Sequence, residues 1–209
     1  MSSVSAKPAL TAANQNLQRP SADEAKEAVR TLIRWAGDNP EREGLIDTPK
    51  RVIEAYEEFY SGYAEDPEAM LAKTFEEVAE YDEIVLLKNM EFESHCEHHM
   101  VPIIGRAHIA YIPNRKVVGI SKIARLLDVF AKRLQTQEIM TKQIADVIEK
   151  VLQPKAIAVI IDAKHECMTT RGVHKANTTT VTSQMRGQFK TDAAARSEVM
   201  RLVASSDIG

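Results

Sequence analysis

Cysteine is scarce in this sequence, whose 209 residues include only Cys96 and Cys167. A framework of several disulfides is therefore excluded, because two thiols can form at most one bridge. Both cysteines have histidines beside them, in SHCEHHMVP (residues 94–102) and AKHECMTTRGV (residues 163–173). In an intracellular chain, cysteines flanked by histidines indicate a metal site or catalysis more than a disulfide.

The sequence also lacks a strong excess of charge of either sign. Its 27 lysines and arginines against 30 aspartates and glutamates leave a formal net charge of -3. This balance gives no overall basic surface for a nucleic acid or a membrane, and we expect neither as a partner. No apolar run is long enough to cross a bilayer. An anionic ligand would therefore need a local basic cluster.

The first residues lack both acidic side chains and the apolar core of a secretory signal. We predict a flexible tail over residues 1–20 and a cytoplasmic protein. A helical region follows over residues 21–76. Its first helix has Ser21 as N-cap, Glu24 completing a capping box, and the GDNP stretch at its end. The second is capped by Asp47 or Thr48, with Pro49 in its first turn, and we expect the two helices to pack together.

Residues 77–209 are predicted to form one α+β domain. Strand patterns occur at residues 83–89, 105–112, 116–120, 156–165 and 177–189, with a turn at 113–116 joining the second and third. Apolar stripes with helical spacing occur at residues 121–135, in a segment that ends near residue 152, and at 192–203. Strands interrupted by paired helices favour an antiparallel sheet with helices packed on one face.

The two cysteine segments together predict one metal site. Cys96 and His99 are three residues apart, so in a turn or at a helix start they project the same way. On a strand, His165 and Cys167 would share a face. Thiolates with an imidazole form a ligand set typical of zinc. Either segment alone would equally fit an ordinary buried thiol or a satisfied histidine, but both segments together favour the metal.

The number of ligands separates a structural site from a catalytic one. Four side chains, with His165 as the fourth, would close a structural site, whereas three leave a position for water. A structural site does not require further histidines, whereas hydrolysis needs a proton carrier. We therefore predict Cys96, His99 and Cys167 as ligands and leave His98 and His165 for proton transfer. The four-ligand structural site remains the alternative.

A second group of residues predicts an anion site. Ser121 is the expected N-cap of the helix at 121–135, and Lys122 and Arg125 lie three apart, opposite its apolar stripe. A helix N-terminus with added cations can bind polyphosphate. Arg171, four residues after Cys167, would bring a further cation close to the metal. The alternative is that these side chains are ordinary surface charges.

The polar stretch QTQE at residues 135–138 is a candidate for binding a purine base. A carboxylate such as Glu138 could accept hydrogen bonds from both N1–H and the exocyclic amino group of guanine, a donor pair that adenine lacks. The alternative is that the stretch is a polar loop between helices.

Residues 96–145 and 158–183, together with EGLIDTPKRV at 43–52, closely resemble the GTP cyclohydrolase I family. The resemblance runs from about residue 22 to residue 203. It implies the tunnelling fold, in which copies of a small antiparallel sheet assemble into an oligomeric barrel. It also implies a homodecamer, built from two pentamers, with active sites between subunits.

The resemblance also implies roles for individual residues. The zinc ligands would be Cys96, His99 and Cys167, the same set that spacing predicts. His98 and His165 would be catalytic histidines. The contacts to ribose and triphosphate would come from Ser121, Lys122, Arg125 and Arg171, and Ser121 is also a candidate for proton transfer. Gln137 and Glu138 lie in the purine-recognition segment, where Gln137 would be catalytic and Glu138 would bind the substrate.

The reaction implied is the zinc-dependent opening of the imidazole ring of GTP and release of C8 as formate. Ribose opening, an Amadori rearrangement and ring closure then give 7,8-dihydroneopterin triphosphate, the first step of folate or tetrahydrobiopterin biosynthesis. Four alternatives remain: a structural-zinc oligomer without activity, a disulfide or thiol-redox module, a tunnelling-fold enzyme acting on another pterin or purine, and one that hydrolyses GTP only as far as the formamide.

Overall fold

The computed structural model describes residues 18–72, 74–75 and 81–205. Most of the predicted tail at 1–20 lies outside the described residues. The chain divides into two compact units between Glu65 and Asp66. The boundaries predicted at residues 20/21 and 76/77 stay predictions.

The first unit contains helices α1 (Ala22–Trp35) and α2 (Thr48–Phe59) and a short 3-10 helix (Ser61–Ala64). The predicted capping box is confirmed, because Ser21 and Glu24 exchange side-chain and backbone hydrogen bonds. Asp47 is the N-cap of α2 but makes no side-chain cap bond, and Pro49 stands in the first turn. The two helices contact each other, as predicted.

The second unit contains the remaining elements. Its strands and helices are β1 (Thr74–Phe75), β2 (Val85–Cys96), β3 (Pro102–Ile112), β4 (Val117–Val118), β5 (Leu134–Gln135), β6 (Ala156–His165), β7 (Thr180–Gly187), α3 (Pro67–Leu71), α4 (Ile120–Ala131), α5 (Gln137–Leu152), α6 (Glu166–Thr169), α7 (Gln188–Thr191) and α8 (Ala193–Ala204). The mixed α+β class is therefore confirmed.

Five strands form the main sheet in the order β5-β2-β3-β6-β7. The pairs β2–β3, β3–β6 and β6–β7 are antiparallel, and the short β5 runs parallel to β2. The predicted strand at 116–120 is reduced to β4 and does not pair with its predicted neighbour β3. It pairs instead with β1 in a separate two-stranded sheet.

Alternation along β6 shows which helices cover which face of the sheet. Ile157, Val159 and Ile161 pack in the core that holds the apolar stripes of α4 and α5. Ala156 and Ala158 point to the opposite face, where they pack with Phe189 of α7 and Val199 of α8. Helices α4 and α5 therefore pack on one face, as predicted, and the last helices, which the prediction did not place separately, cover one end of the other face.

No helix in the described ranges is both long and apolar enough to span a membrane.

Candidate metal centre

The register of the sheet brings the two cysteine segments to the same end of the sheet, where β2 and β6 finish. Cys96 is the last residue of β2 and His165 is the last residue of β6. Strand β3 lies between them, and its residue Ile103 pairs with Ser94 on one side and with His165 on the other. The ends of β2 and β6 are therefore neighbours across one strand, although 69 positions separate Cys96 from His165 in the sequence.

A tight turn after β2 places two histidines beside Cys96. The Met100 N–H donates to the Cys96 carbonyl at 2.8 Å, and the Cys96 N–H donates to the Val101 carbonyl at 2.9 Å. Met100 takes a left-handed conformation (φ 54°), which reverses the chain into β3. The predicted arrangement of Cys96 and His99 in a turn is confirmed.

The segment around Cys167 differs from its prediction. His165 ends β6, and Cys167 lies in the four-residue helix α6 rather than on the same strand. The strand stops because pairing with β3 ends at Ile103 opposite His165, next to Pro102. Proline has no N–H to continue a ladder. The helical turn, not strand alternation, is what carries Cys167 toward the first segment.

Cys96, His99 and Cys167 form a group with the geometry to hold a metal ion. Their ligand atoms all lie within 4.8 Å of one another. Cys96 is buried, Cys167 is half-buried and His99 is exposed. Burial raises the pKa of the Cys167 thiol, and the neighbouring Cys96 thiol raises it further. A bound cation would reverse this effect, because a metal deprotonates the thiols that coordinate it.

Further polar side chains surround this group. His98 Nδ1 lies 3.7 Å from Cys96 Sγ, and its Nε2 lies 3.8 Å from a Glu97 carboxylate oxygen. Arg171 donates a hydrogen bond to His99 Nε2 at 2.9 Å. Arg171 therefore places a cation in direct contact with this group, where the sequence led us to expect one.

His165 is held from the other side, by helix α5. Its Nε2 lies 2.8 Å from Oε1 of Gln137. Burial lowers the pKa of His165, and the charge of Glu138 opposes this shift. Glu138 itself is exposed in the first turn of α5, so the stretch 135–138 is a short strand and a helix start rather than a loop.

Two residues that sequence reasoning missed, Thr141 and Thr182, complete the surroundings of Gln137. The Gln137 side chain is completely buried and donates to Ile161 O, Thr180 O and Thr182 Oγ1. Thr141 lies one turn after Gln137, a spacing visible in the sequence. Only the sheet register brings Thr182 to the same place, and no sequence signal indicates it.

The predicted anion group stands at the start of α4, with one correction. Gly119 is the N-cap, so Ser121 is the second residue of the helix and not its cap. Gly119 has extended backbone angles and its carbonyl accepts from the Lys122 N–H at 2.8 Å. Ser121 and Arg125 are exposed and Lys122 is half-buried. Among the described residues, no ion pair or hydrogen bond joins these side chains to the metal group.

Comparison with known proteins decides the family. The model of the GTP cyclohydrolase I family matches residues 25–204. This chain belongs to the GTP cyclohydrolase I family. GTP cyclohydrolase 1 of Maricaulis maris strain MCS10 is 57% identical over 185 residues, which cover 88% of this chain and 90% of the relative. GTP cyclohydrolase 1 of Hyphomonas neptunium is 59% identical over 187 residues, which cover 90% and 91%.

The match to the GTP cyclohydrolase I family contains every site residue predicted from the sequence, since these lie between Cys96 and Arg171. The resemblance stated from motifs is thereby confirmed over nearly the whole chain.

Proposed function

We propose that this chain hydrolyses and rearranges GTP to 7,8-dihydroneopterin triphosphate with release of formate, as the first step of pterin biosynthesis leading to folate or tetrahydrobiopterin. The observation that carries the proposal is the Cys96–His99–Cys167 group, which lies at one end of the sheet in a chain of the GTP cyclohydrolase I family. Relatives named GTP cyclohydrolase 1 that are 57% and 59% identical support the activity.

The donor set fits zinc. Two thiols and one imidazole are ligands that zinc prefers, and three protein ligands leave the position that a catalytic site needs. When bound, zinc supplies Lewis acidity that makes water a nucleophile near neutral pH. The buried Cys96 would hold it from the end of β2, the half-buried Cys167 from α6 and the exposed His99 from the turn.

The histidines are assigned to proton transfer. His165 would protonate the imidazole-ring nitrogen of the guanine as C8 becomes tetrahedral, and its half-buried position beside Gln137 supports a fixed orientation. General acid catalysis of this kind contributes about 10²- to 10⁴-fold in rate. His98 and Ser121 are our candidates for the proton transfers of ribose opening and rearrangement. Both are exposed and accessible to a substrate.

Substrate binding is assigned to a carboxylate and three cations. Glu138 would accept from N1–H and the exocyclic amino group of guanine. Lys122 and Arg125 would contact the triphosphate at the start of α4, where helix N–H groups add to the positive potential. Arg171, already within hydrogen-bonding distance of His99, would place a third cation near the metal group.

We also propose that the chain adopts the tunnelling fold and assembles as a decamer of two pentamers with active sites between subunits. Strand β7 ends the sheet of the described chain, and an open edge is suited to pairing with another subunit. Apolar Ile104 of β3 and Val181 of β7 are 51% and 62% exposed. Subunit contacts would cover such residues. We place the enzyme in the cytoplasm, where its two free thiols would stay reduced.

The alternatives differ in measurable ways. A four-ligand structural site would need His165 as well, whereas the ligand atoms that lie within 4.8 Å of one another are those of Cys96, His99 and Cys167. A disulfide module has no support in the structure, because both cysteines are free. An enzyme acting on another pterin or purine would leave GTP unchanged, and one that stops at the formamide would release no formate.

The test is incubation of zinc-loaded protein with GTP, followed by assay of formate and of pterin fluorescence after oxidation. We expect both products in equal amounts. Absence of both would contradict the proposed function, and ring opening without formate would identify the truncated reaction.

A further inference from the structure

The buried amide of Gln137 can have only one orientation. Its Nε2 lies 3.0 Å from the Ile161 carbonyl oxygen and 2.8 Å from the Thr180 carbonyl oxygen. Carbonyl oxygens accept hydrogen bonds and cannot donate them. The NH₂ group must therefore face the two carbonyls, and Oε1 must face His165.

Two threonines set the direction of the remaining hydrogen bonds. The Thr141 hydroxyl donates to the Gln137 backbone carbonyl at 2.6 Å, which uses its one proton. In the 2.7 Å contact between the two hydroxyls, Thr182 must then be the donor and Thr141 the acceptor. Having used its proton, Thr182 Oγ1 can only accept from Gln137 Nε2, at 3.1 Å. Because the amide has two N–H groups and three acceptors, this longest contact shares a proton with one of the two carbonyls.

The orientation of the amide fixes the protonation of the His165 ring. Gln137 Oε1 can only accept, so the 2.8 Å contact requires a proton on His165 Nε2. A neutral imidazole carries one N–H, and which nitrogen holds it is set by the partner of the ring. Nδ1 is then the nitrogen with the free lone pair.

We propose that Gln137, oriented by Thr141 and Thr182, is a positioning residue that keeps the Nε2 proton of His165 in a hydrogen bond and leaves Nδ1 as the nitrogen that takes up a proton and delivers it to the substrate. This inference rests on the proposed function for the identity of the substrate. It replaces the predicted catalytic contact of Gln137, because a completely buried side chain does not reach a substrate. Thr141 and Thr182 become functional residues that act through it.

The first test reads the tautomer directly and needs no variant. Protein with ¹⁵N-labelled histidine rings is examined by NMR, and the His165 signals are assigned by comparison with His165→Ala. We expect a pyrrole-type shift for Nε2 and a pyridine-type shift for Nδ1. The reverse pattern would overturn the proposal whatever the activity of the enzyme.

The second test separates positioning from packing. Gln137→Met keeps the length of the side chain but removes the acceptor for His165. We expect kcat per bound zinc to fall about 10- to 100-fold with little change in KM for GTP, the range found when a partner that orients a site residue is lost. Gln135→Met is the matched control, because Gln135 is also buried and donates to Phe130 O and Gln143 Oε1 rather than to His165.

A pair of variants at Thr182 covers the case in which Gln137→Met fails to fold. Thr182→Val removes the hydroxyl and keeps the branched shape, and we expect a smaller loss of kcat than for Gln137→Met. Thr182→Ser keeps the hydroxyl and should restore the wild-type rate. Equal losses in Gln137→Met and Gln135→Met, or equal rates in the two Thr182 variants, would contradict positioning. Wild-type protein that releases no formate would instead refute the proposed function.

Discussion

Cys167 is one of only two thiols and lies half-buried in a helix of four residues, packed against the edge of the core. We predict that Cys167→Ser loses zinc and formate release together, because a serine hydroxyl does not replace a thiolate as a zinc ligand. Metal analysis and formate assay on the same samples measure both, and circular dichroism checks the fold. Met168→Leu, a volume-conserving change at the next position, should keep both. Full zinc and normal turnover in Cys167→Ser would rule out this ligand set.

His165 separates the catalytic from the structural reading of the site. We predict that His165→Ala retains zinc, because Cys96, His99 and Cys167 remain. Formate release per bound zinc should fall about 10²- to 10⁴-fold, the typical cost of losing a general acid. Zinc content and turnover are compared with those of Cys167→Ser. A zinc-free His165→Ala protein would show that the histidine is a ligand, and the three-ligand site would be wrong.

Glu138 tests the recognition of guanine. We predict that Glu138→Ala lowers kcat/KM for GTP by roughly 10- to 100-fold, because each unpaired buried donor of the base costs about 1–3 kcal/mol. The free energy of unfolding should change by less than about 1 kcal/mol, the scale of a favourable charge in the first turn of a helix. Glu198→Ala, an exposed glutamate of α8, is the control. An unchanged kcat/KM would return Glu138 to an ordinary surface role.

At the scale of elements, one arginine joins helix α5 to the sheet edge. Arg186 of β7 bonds Asp146 and Glu149 of α5, and its side chain is only 15% exposed. We predict that Arg186→Leu lowers the free energy of unfolding in urea by about 1–3 kcal/mol, because the carboxylates of Asp146 and Glu149 lose the guanidinium that donates hydrogen bonds to them. Arg106→Leu is the matched control, because Arg106 and Glu91 are 57% and 79% exposed. Such a surface pair contributes at most about 1 kcal/mol.

The effect of Arg186 should also depend on pH. Burial pushes the pKa of Asp146 up, but hydrogen bonds from Lys142 and Arg186 outweigh it and the pKa is lowered. A carboxyl group with a lowered pKa stabilises the fold above its unfolded pKa, about 3.9 for aspartate. The difference in free energy of unfolding between Arg186→Leu and wild type should therefore have its largest value at pH 7 and shrink as the pH falls below about 4. A difference that grew on acidification would contradict this assignment.

Most elements could be predicted because their apolar pattern alone determines them. The continuous apolar run of β6 predicts a buried strand at residues 156–165, and Met140, Ile144 and Ile148 predict the buried face of α5. Element ends were less predictable. The helix that carries Cys167 begins where pairing with β3 stops, and a pattern read along one segment cannot show where a partner strand ends.

At the scale of the whole molecule, the ligand set could be predicted because chemistry limits it. With two cysteines in the chain, each beside histidines, few zinc sites are possible. The contact of Gln137 with Thr182 could not be predicted, because it depends on the register between β6 and β7 and on the packing of α5 against them. Contacts set by long-range register leave no local pattern in the sequence.

The most direct test of the account follows the fate of C8 in GTP as zinc is removed and restored. Protein freed of metal by a chelator is titrated with zinc, and formate is measured by NMR from GTP labelled with ¹³C at C8. We predict no labelled formate without zinc, and a rate that rises until about one zinc per chain is bound, the occupancy of a single three-ligand site. Labelled formate at the full rate without metal, or none from the zinc-loaded protein, would contradict the account.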